Sequence, residues 1–107
     1  MPLVKVATID EILPGQAKLV EVDGNEIAIF NLAGSFHAID NSCTHVGGPL
    51  CEGEIAGSEV ICPWHGAVFD VTTGRAVGPP AIEPLNRYRV HMEGADIYLD
   101  IPEGFGQ

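Results

Sequence analysis

Near the end of the chain, apolar and polar residues alternate. Ile97, Leu99 and Ile101 share one face, and Asp96, Tyr98 and Asp100 share the other. This two-residue period predicts a half-buried strand over Asp96–Ile101, paired with Leu85–Met92 across Glu93-Gly94-Ala95. Apolar-rich runs predict further strands at Leu3–Thr8, Lys18–Val22, Glu26–Leu32 and Phe36–Asp40. Asp23-Gly24-Asn25 lies between two of these runs and is a strong hairpin signal. Ala33-Gly34-Ser35 turns the chain into the next strand. Asp10–Leu13 reads as one helical turn before Pro14-Gly15. Glu59–Ile61 and Ala67–Asp70 read as short strands, with a turn at Thr72-Thr73-Gly74. Residues 41–58, with Gly47, Gly48, Pro49, Gly53 and Gly57, read as irregular. Gly78-Pro79-Pro80 reads as a stiff loop, because proline fixes φ. No segment sustains a 3.6-residue period, and no repeat, linker or low-complexity tract is visible. The tail Pro102–Gln107 reads as loose. Many short strands with regular turn signals predict an all-β fold, a small antiparallel sandwich or barrel.

The length of 107 residues predicts one domain spanning residues 1–107. A core of that size is modest, and a bound metal centre would help to hold it. The 13 glycines and 8 prolines reinforce the turn-rich, all-β reading. Charge narrows the partners: Lys and Arg total 5 against 15 Asp and Glu, a formal net charge of −10. Phosphate would be repelled, so no nucleic-acid partner is expected. An anionic membrane surface is disfavoured for the same reason. A basic protein partner suits such a field, which also serves solubility. The segment MPLVKVATIDEILPGQ shows no basic region followed by a long apolar stretch. No run approaches the roughly 18 apolar residues of a membrane helix. A cytoplasmic monomer without a membrane anchor is the expectation. Three cysteines, an odd number, argue against a disulfide framework.

Two short loops concentrate the metal-binding side chains. Cys43-Thr44-His45-Val46-Gly47-Gly48-Pro49-Leu50 is the first, and Cys62-Pro63-Trp64-His65-Gly66 is the second. Each supplies one cysteine and one histidine, and sixteen residues separate His45 from Cys62. Thiolate and neutral imidazole together suit Zn²⁺ or an iron–sulfur centre. The neighbouring glycines let backbone N–H groups come close to a negatively charged centre. Structural zinc is one alternative, although zinc fingers pair Cys with Cys and His with His, whereas here they alternate. A cysteine nucleophile with a histidine base is another, but it leaves the duplicated loop unexplained. A non-redox interaction module is a third, against which stands the oxidation liability of unused thiolates.

Cys-X-His, sixteen residues, then Cys-X-X-His with glycine-rich flanks resembles the Rieske proteins, and the length and strand order resemble soluble Rieske-type ferredoxins. The resemblance implies one [2Fe–2S] cluster held by Cys43, His45, Cys62 and His65, the cysteines on one iron and the histidines on the other. It implies a Rieske-type fold with a cluster-binding subdomain at about residues 41–80. Neutral imidazole donates less charge than thiolate, so reduction is easier than in an all-cysteine centre. High-potential Rieske proteins carry a disulfide at positions matching Gly48 and Trp64, and hydroxyl donors near Ala67 and Phe69. None of these four residues can serve, so a potential toward the low end of the Rieske span is expected. Imidazole protonation at the histidine-bound iron would be coupled to reduction.

Among Rieske proteins, the chain best resembles the ferredoxin component of aromatic-ring dioxygenase systems, an electron carrier and not itself an enzyme. It would take electrons from an NAD(P)H-dependent flavin reductase and pass them to a terminal oxygenase through weak, transient contacts. The small subunit of assimilatory nitrite reductase is the runner-up. An oxygenase catalytic subunit would need a second iron site and a far longer chain. Cys51 is the leftover thiol, expected free or buried. His37 and His91 read as core or surface residues, Trp64 as apolar cover, and Gly78-Pro79-Pro80 as a shielding third loop.

Overall fold

The computed structural model describes residues 3–22, 24–41, 49–63, 66–78 and 87–100. Its strands are β1 (Leu3–Thr8), β2 (Ala17–Val22), β3 (Asn25–Leu32), β4 (Ser35–Asp40), β5 (Glu54–Ala56), β6 (Glu59–Ile61), β7 (Val68–Asp70), β8 (Ala76–Gly78), β9 (Arg87–Glu93) and β10 (Asp96–Asp100). They form two antiparallel sheets, one in the order β1-β10-β9-β4-β3-β2 and a smaller one in the order β5-β6-β7-β8. The larger sheet curls into a nearly closed barrel, the fold expected from the run of short strands. Among the described residues no helix is long and apolar enough to cross a membrane.

β3 sits where two cores meet. Ile27, Ala28, Ile29 and Phe30 are all completely buried. Ile27 and Ile29 join Val20, Ala38, Tyr88, Ile97 and Leu99 in the barrel interior. Ala28 and Phe30 point the other way, joining Ile39, Leu50, Val60, Phe69 and Val71 between the two sheets. A strand covered on both faces reads as a continuous apolar run, and that is how Ile27–Phe30 reads. Each large apolar side chain buried in this way contributes roughly 1.5–3 kcal/mol. β10 has one wet face and alternates as expected: Ile97 and Leu99 are fully buried, while Asp96, Tyr98 and Asp100 are half-exposed.

Turn chemistry sets the register. β3 and β4 are joined through Ala33 (φ 53°) and Gly34 (φ 99°), closed by the Leu32–Ser35 pair. Two successive positive φ values match the right-handed strand twist. The expected helical turn at Asp10–Leu13 starts slightly earlier, as a 3₁₀ turn at Ile9–Glu11. The Thr8 N–H donates to the Glu11 carboxylate at 2.9 Å, which satisfies an amide at the start of the turn.

Two expectations need correction. Residues 41–58 are not wholly irregular: Leu50–Glu52 forms a 3₁₀ turn and Glu54–Ala56 forms β5. Three residues are too few to show a period, and pairing with β6 makes this strand. Gly78 does not begin a loop. It ends β8, which pairs with β7 as the edge of the small sheet. Pro79 and Pro80 lie outside the described residues.

Candidate metal centre

Of the four expected ligands, Cys62 is among the described residues; Cys43, His45 and His65 lie outside them, as do Gly48 and Trp64. The roots of both ligand loops, however, are described.

The second loop rises from the β6–β7 hairpin, where Ile61 pairs with Val68. The Cys62 N–H donates to the Ala67 carbonyl at 2.7 Å, and the Gly66 N–H donates to the Cys62 carbonyl at 3.1 Å. Gly66 adopts φ 74°, a left-handed conformation that a β-carbon disfavours. Cys62 is thus the first residue of a tight turn closed by its own amide. It is 2% exposed and free of any disulfide.

The first loop is cross-tied at its root by Asn41. The Asn41 carbonyl accepts the Leu50 N–H at 2.7 Å, and its Oδ1 accepts the Cys51 N–H at 2.8 Å. The Asn41 N–H donates to the Glu26 carbonyl at 3.1 Å. Downstream, Gly53 packs against the second loop's stem. A β-carbon there would lie 2.4 Å from the Ile61 carbonyl oxygen and 2.9 Å from a Val60 methyl.

These roots share one buried cluster: Leu50 at the exit of the first loop, with Cys62 and Ala67 at the two ends of the second. The row Glu54–Ile61–Val68–Gly78 forms one end of the small sheet. Gly53, Cys62, Ala67 and Gly78 are the next residues at that end or lie within it. The chain therefore enters or leaves both Cys/His loops and the proline-rich segment from the same edge. A buried, unbridged cysteine in a backbone-closed turn fits a thiolate ligand, since a buried thiolate needs a counter-charge. Among the described residues no three His, Cys, Asp or Glu side chains converge, as expected when three of the four candidates lie outside them.

The remaining flagged residues fall elsewhere. Cys51 is a half-buried free thiol, and burial pushes its pKa up, with Glu52 adding to the effect. His37 is half-buried in a cleft of about 610 Å³ between the sheets, where Asn31, Ser35, Ile55, Ser58 and Thr72 also lie. Desolvation, reinforced by Arg87 and opposed by Asp70, lowers its pKa. His91 is exposed beside Glu93 and edge-on to Tyr98. Ala67 and Phe69 are fully buried and bring no side-chain donor. Sequence reasoning overlooked Asn41, Gly53 and the Tyr88 hydroxyl, which donates to Asp40 at 2.6 Å at the end of β4. Only a glycine in an apparently irregular stretch hinted at any of them.

A barrel-like sheet with a small second sheet, and a cysteine turn and a cross-tied loop at one edge, fit an iron–sulfur domain. The chain belongs to the Rieske [2Fe–2S] domain family, whose pattern matches residues 2–89. As a member it holds one [2Fe–2S] cluster and is an electron-transfer component, not a catalyst. It is 39% identical over 101 residues to the biphenyl dioxygenase ferredoxin subunit of a Pseudomonas species, covering 94% of this chain and 93% of that one. Its fold superposes on the ferredoxin of carbazole 1,9a-dioxygenase from Nocardioides aromaticivorans with a TM-score of 0.88 at 35% identity, over 92% of this chain and 97% of the other. A further ferredoxin, solved in complex with reduced oxygenase in carbazole 1,9a-dioxygenase, matches with a TM-score of 0.86 at 30% identity, covering 91% of each chain.

Proposed function

We propose that Cys43, His45, Cys62 and His65 hold the cluster, with Cys43 and Cys62 on one iron and His45 and His65 on the other. The chain then carries electrons from an NAD(P)H-dependent flavin reductase to a terminal aromatic-ring dioxygenase. The observation that carries the ligand assignment is the common origin of the two loops. Leu50, Cys62 and Ala67 belong to one buried cluster, so the segments bearing the four side chains are rooted together.

The cluster, when bound, takes up and releases one electron at a time. The chain's own residues supply the rest. The Cys62–Ala67 bond holds the turn that presents Cys62. Leu50, Val60 and Phe69, all fully buried, keep water from the loop roots. Ala67 and Phe69 offer no hydroxyl, so the more negative reduced state gains no side-chain hydrogen bond there. The potential accordingly falls toward the low end of a span of roughly −150 to +300 mV. The net charge of −10 favours fast encounter with basic partner faces.

The oxygenase partner is supported by the ferredoxin relative solved with its oxygenase, and the dioxygenase setting by the relative named as a biphenyl dioxygenase subunit. The chain acts as a cytoplasmic monomer, one domain with its cluster-binding subdomain at about residues 41–80. The test is iron and sulfide analysis with EPR of the reduced protein, followed by reconstitution with a flavin reductase and a ring dioxygenase. Two irons and two sulfides per chain, a rhombic signal and ferredoxin-dependent ring hydroxylation are expected. A zinc-loaded protein, or one that supports only nitrite reduction, refutes the reading.

A further inference from the structure

Asn31 and Asn41 are the buried polar residues among those described, 4% and 3% exposed. Asn31 ties down a turn of the barrel: its Nδ2 donates to the Ile12 carbonyl and its Oδ1 accepts the Gly34 N–H, both at 2.7 Å. Asn41 has a different task. Its side chain reaches the amide of Cys51, ten residues further along, and the chain between them carries Cys43 and His45. Its carbonyl holds the preceding amide, that of Leu50. Two successive amides at the exit of the loop are therefore fixed by the one residue at its entrance.

The clamp acts on a short, hydrogen-bonded spacer. From Leu50 the chain makes a 3₁₀ turn, in which the Gly53 N–H donates to the Leu50 carbonyl at 2.9 Å. Gly53 then passes so close to the Ile61 carbonyl, half of the Ile61–Cys62 peptide, that a β-carbon would lie 2.4 Å from its oxygen. The Cys62 N–H, on the other side of that peptide, closes the second loop. An unbroken mechanical path thus runs from Asn41 through Leu50–Gly53 to Cys62. Burying a side-chain amide is unfavourable unless it is hydrogen-bonded, and here its carbonyl is spent on joining the entrance of the first loop to its exit.

We propose that Asn41 is a positioning residue for the [2Fe–2S] centre, its side-chain carbonyl clamping the exit of the first ligand loop so that Cys43 and His45 are presented in register with Cys62 and His65. The role rests on the ligand assignment above. It is distinct from ligation, because Asn41 acts through the backbone of Leu50 and Cys51.

The test uses the cluster-loaded protein and two substitutions of similar size. Asn41→Leu fills the space without an acceptor, and Asn41→Asp keeps an acceptor oxygen. Two quantities are read: bleaching of the visible spectrum under an iron chelator, and the widths of the EPR features of the reduced protein. A purely structural role would lower the melting temperature and leave the EPR widths of folded protein unchanged. The positioning role predicts cluster loss roughly 10–100-fold faster in N41L, as for other residues that orient metal ligands, with broadened EPR features. N41D, which keeps the acceptor but buries a carboxylate, should lose its cluster more slowly than N41L and show narrower EPR features than N41L. Wild-type behaviour of N41L, or equal damage in N41D and N41L, overturns the proposal. If the leucine prevents cluster loading, Asn41→Ala is read in its place against N41D. Cys43→Ala separates the two layers. Retention of the full Rieske spectrum in that variant sinks the ligand assignment itself. Loss of the spectrum there, with N41L unaffected, sinks the clamp alone.

Discussion

Replacing Gly53 by alanine sets two opposing effects against each other, and the structure decides between them. Gly53 has φ −76° and ψ 165°, an ordinary extended conformation that alanine adopts without strain. On backbone grounds alone, Gly53→Ala should stabilise the protein by about 0.4–1 kcal/mol, by restricting the unfolded chain. The new methyl, however, would lie 2.4 Å from the Ile61 oxygen, about 0.6 Å inside the closest approach real β-carbons make. Its obstacle is backbone within a paired strand and cannot swing aside. Overpacking of this kind costs about 1–3 kcal/mol, so the steric effect wins by about 1–2 kcal/mol. At roughly 4–8 °C per kcal/mol for a domain of this size, the melting temperature should fall by some 5–15 °C. The displaced Ile61–Cys62 peptide should also alter the EPR spectrum. Gly57→Ala is the control. It lies at the opposite end of the small sheet with φ 64° and open space around its β position. Its cost of about 1–2 kcal/mol is conformational and should leave the EPR spectrum unchanged. Thermal unfolding followed by circular dichroism, with EPR on each holoprotein, reads both quantities. A Gly53→Ala protein as stable as wild type, or with an unaltered spectrum, refutes the reasoning.

Three further outcomes are expected. Burial first, and then the hydrogen bond to Asp40, raises the Tyr88 pKa above its ordinary value. The stability tied to its bound proton is therefore fully present below about pH 10 and is lost as pH rises through the folded value. Tyr88→Phe should cost about 0.5–1.5 kcal/mol in urea titrations and flatten that alkaline slope; an unchanged slope would count against it. Glu11, bonded first by Lys18 and then by Thr8, is lowered from 4.5 to about 2. Its small contribution is thus present above pH 4.5 and lost as pH falls toward 2. NMR titration should show the Glu11 midpoint moving up in Lys18→Met, and no movement would remove Lys18 as the cause. His65→Cys should lower the midpoint potential of any cluster it retains, because thiolate adds negative charge. An unchanged potential in a loaded variant would argue against His65 as a ligand.

Much of the barrel was readable from the residues alone. The Ile97/Leu99 alternation and the continuous Ile27–Phe30 run correspond to one-sided and two-sided burial, and the Asp-Gly and Ala-Gly steps mark observed hairpins. What could not be read lies in the small sheet. β5 and β8 each carry one strong strand former, Ile55 and Val77, against two each in β6 and β7, and they exist because β6 and β7 offer partners. The candidate ligand types and their spacing stood out in the sequence because thiolate and imidazole are rare and chemically committed. The supports were not, because an asparagine side chain bonded across a loop and a glycine wedged against a carbonyl are properties of three-dimensional proximity. Nothing in the local sequence around Asn41 or Gly53 announces what lies on the other side.

The two-faced burial of β3 has a consequence for how the molecule comes apart. Ile27 and Ile29 serve one core and Ala28 and Phe30 the other, so loss of packing on either face of this strand weakens the other. Heat or denaturant should therefore loosen the two cores together, so that the ellipticity of both sheets is lost over one temperature range. A lesion far out on the barrel wall would shorten the working life of the electron carrier without touching any residue near its iron.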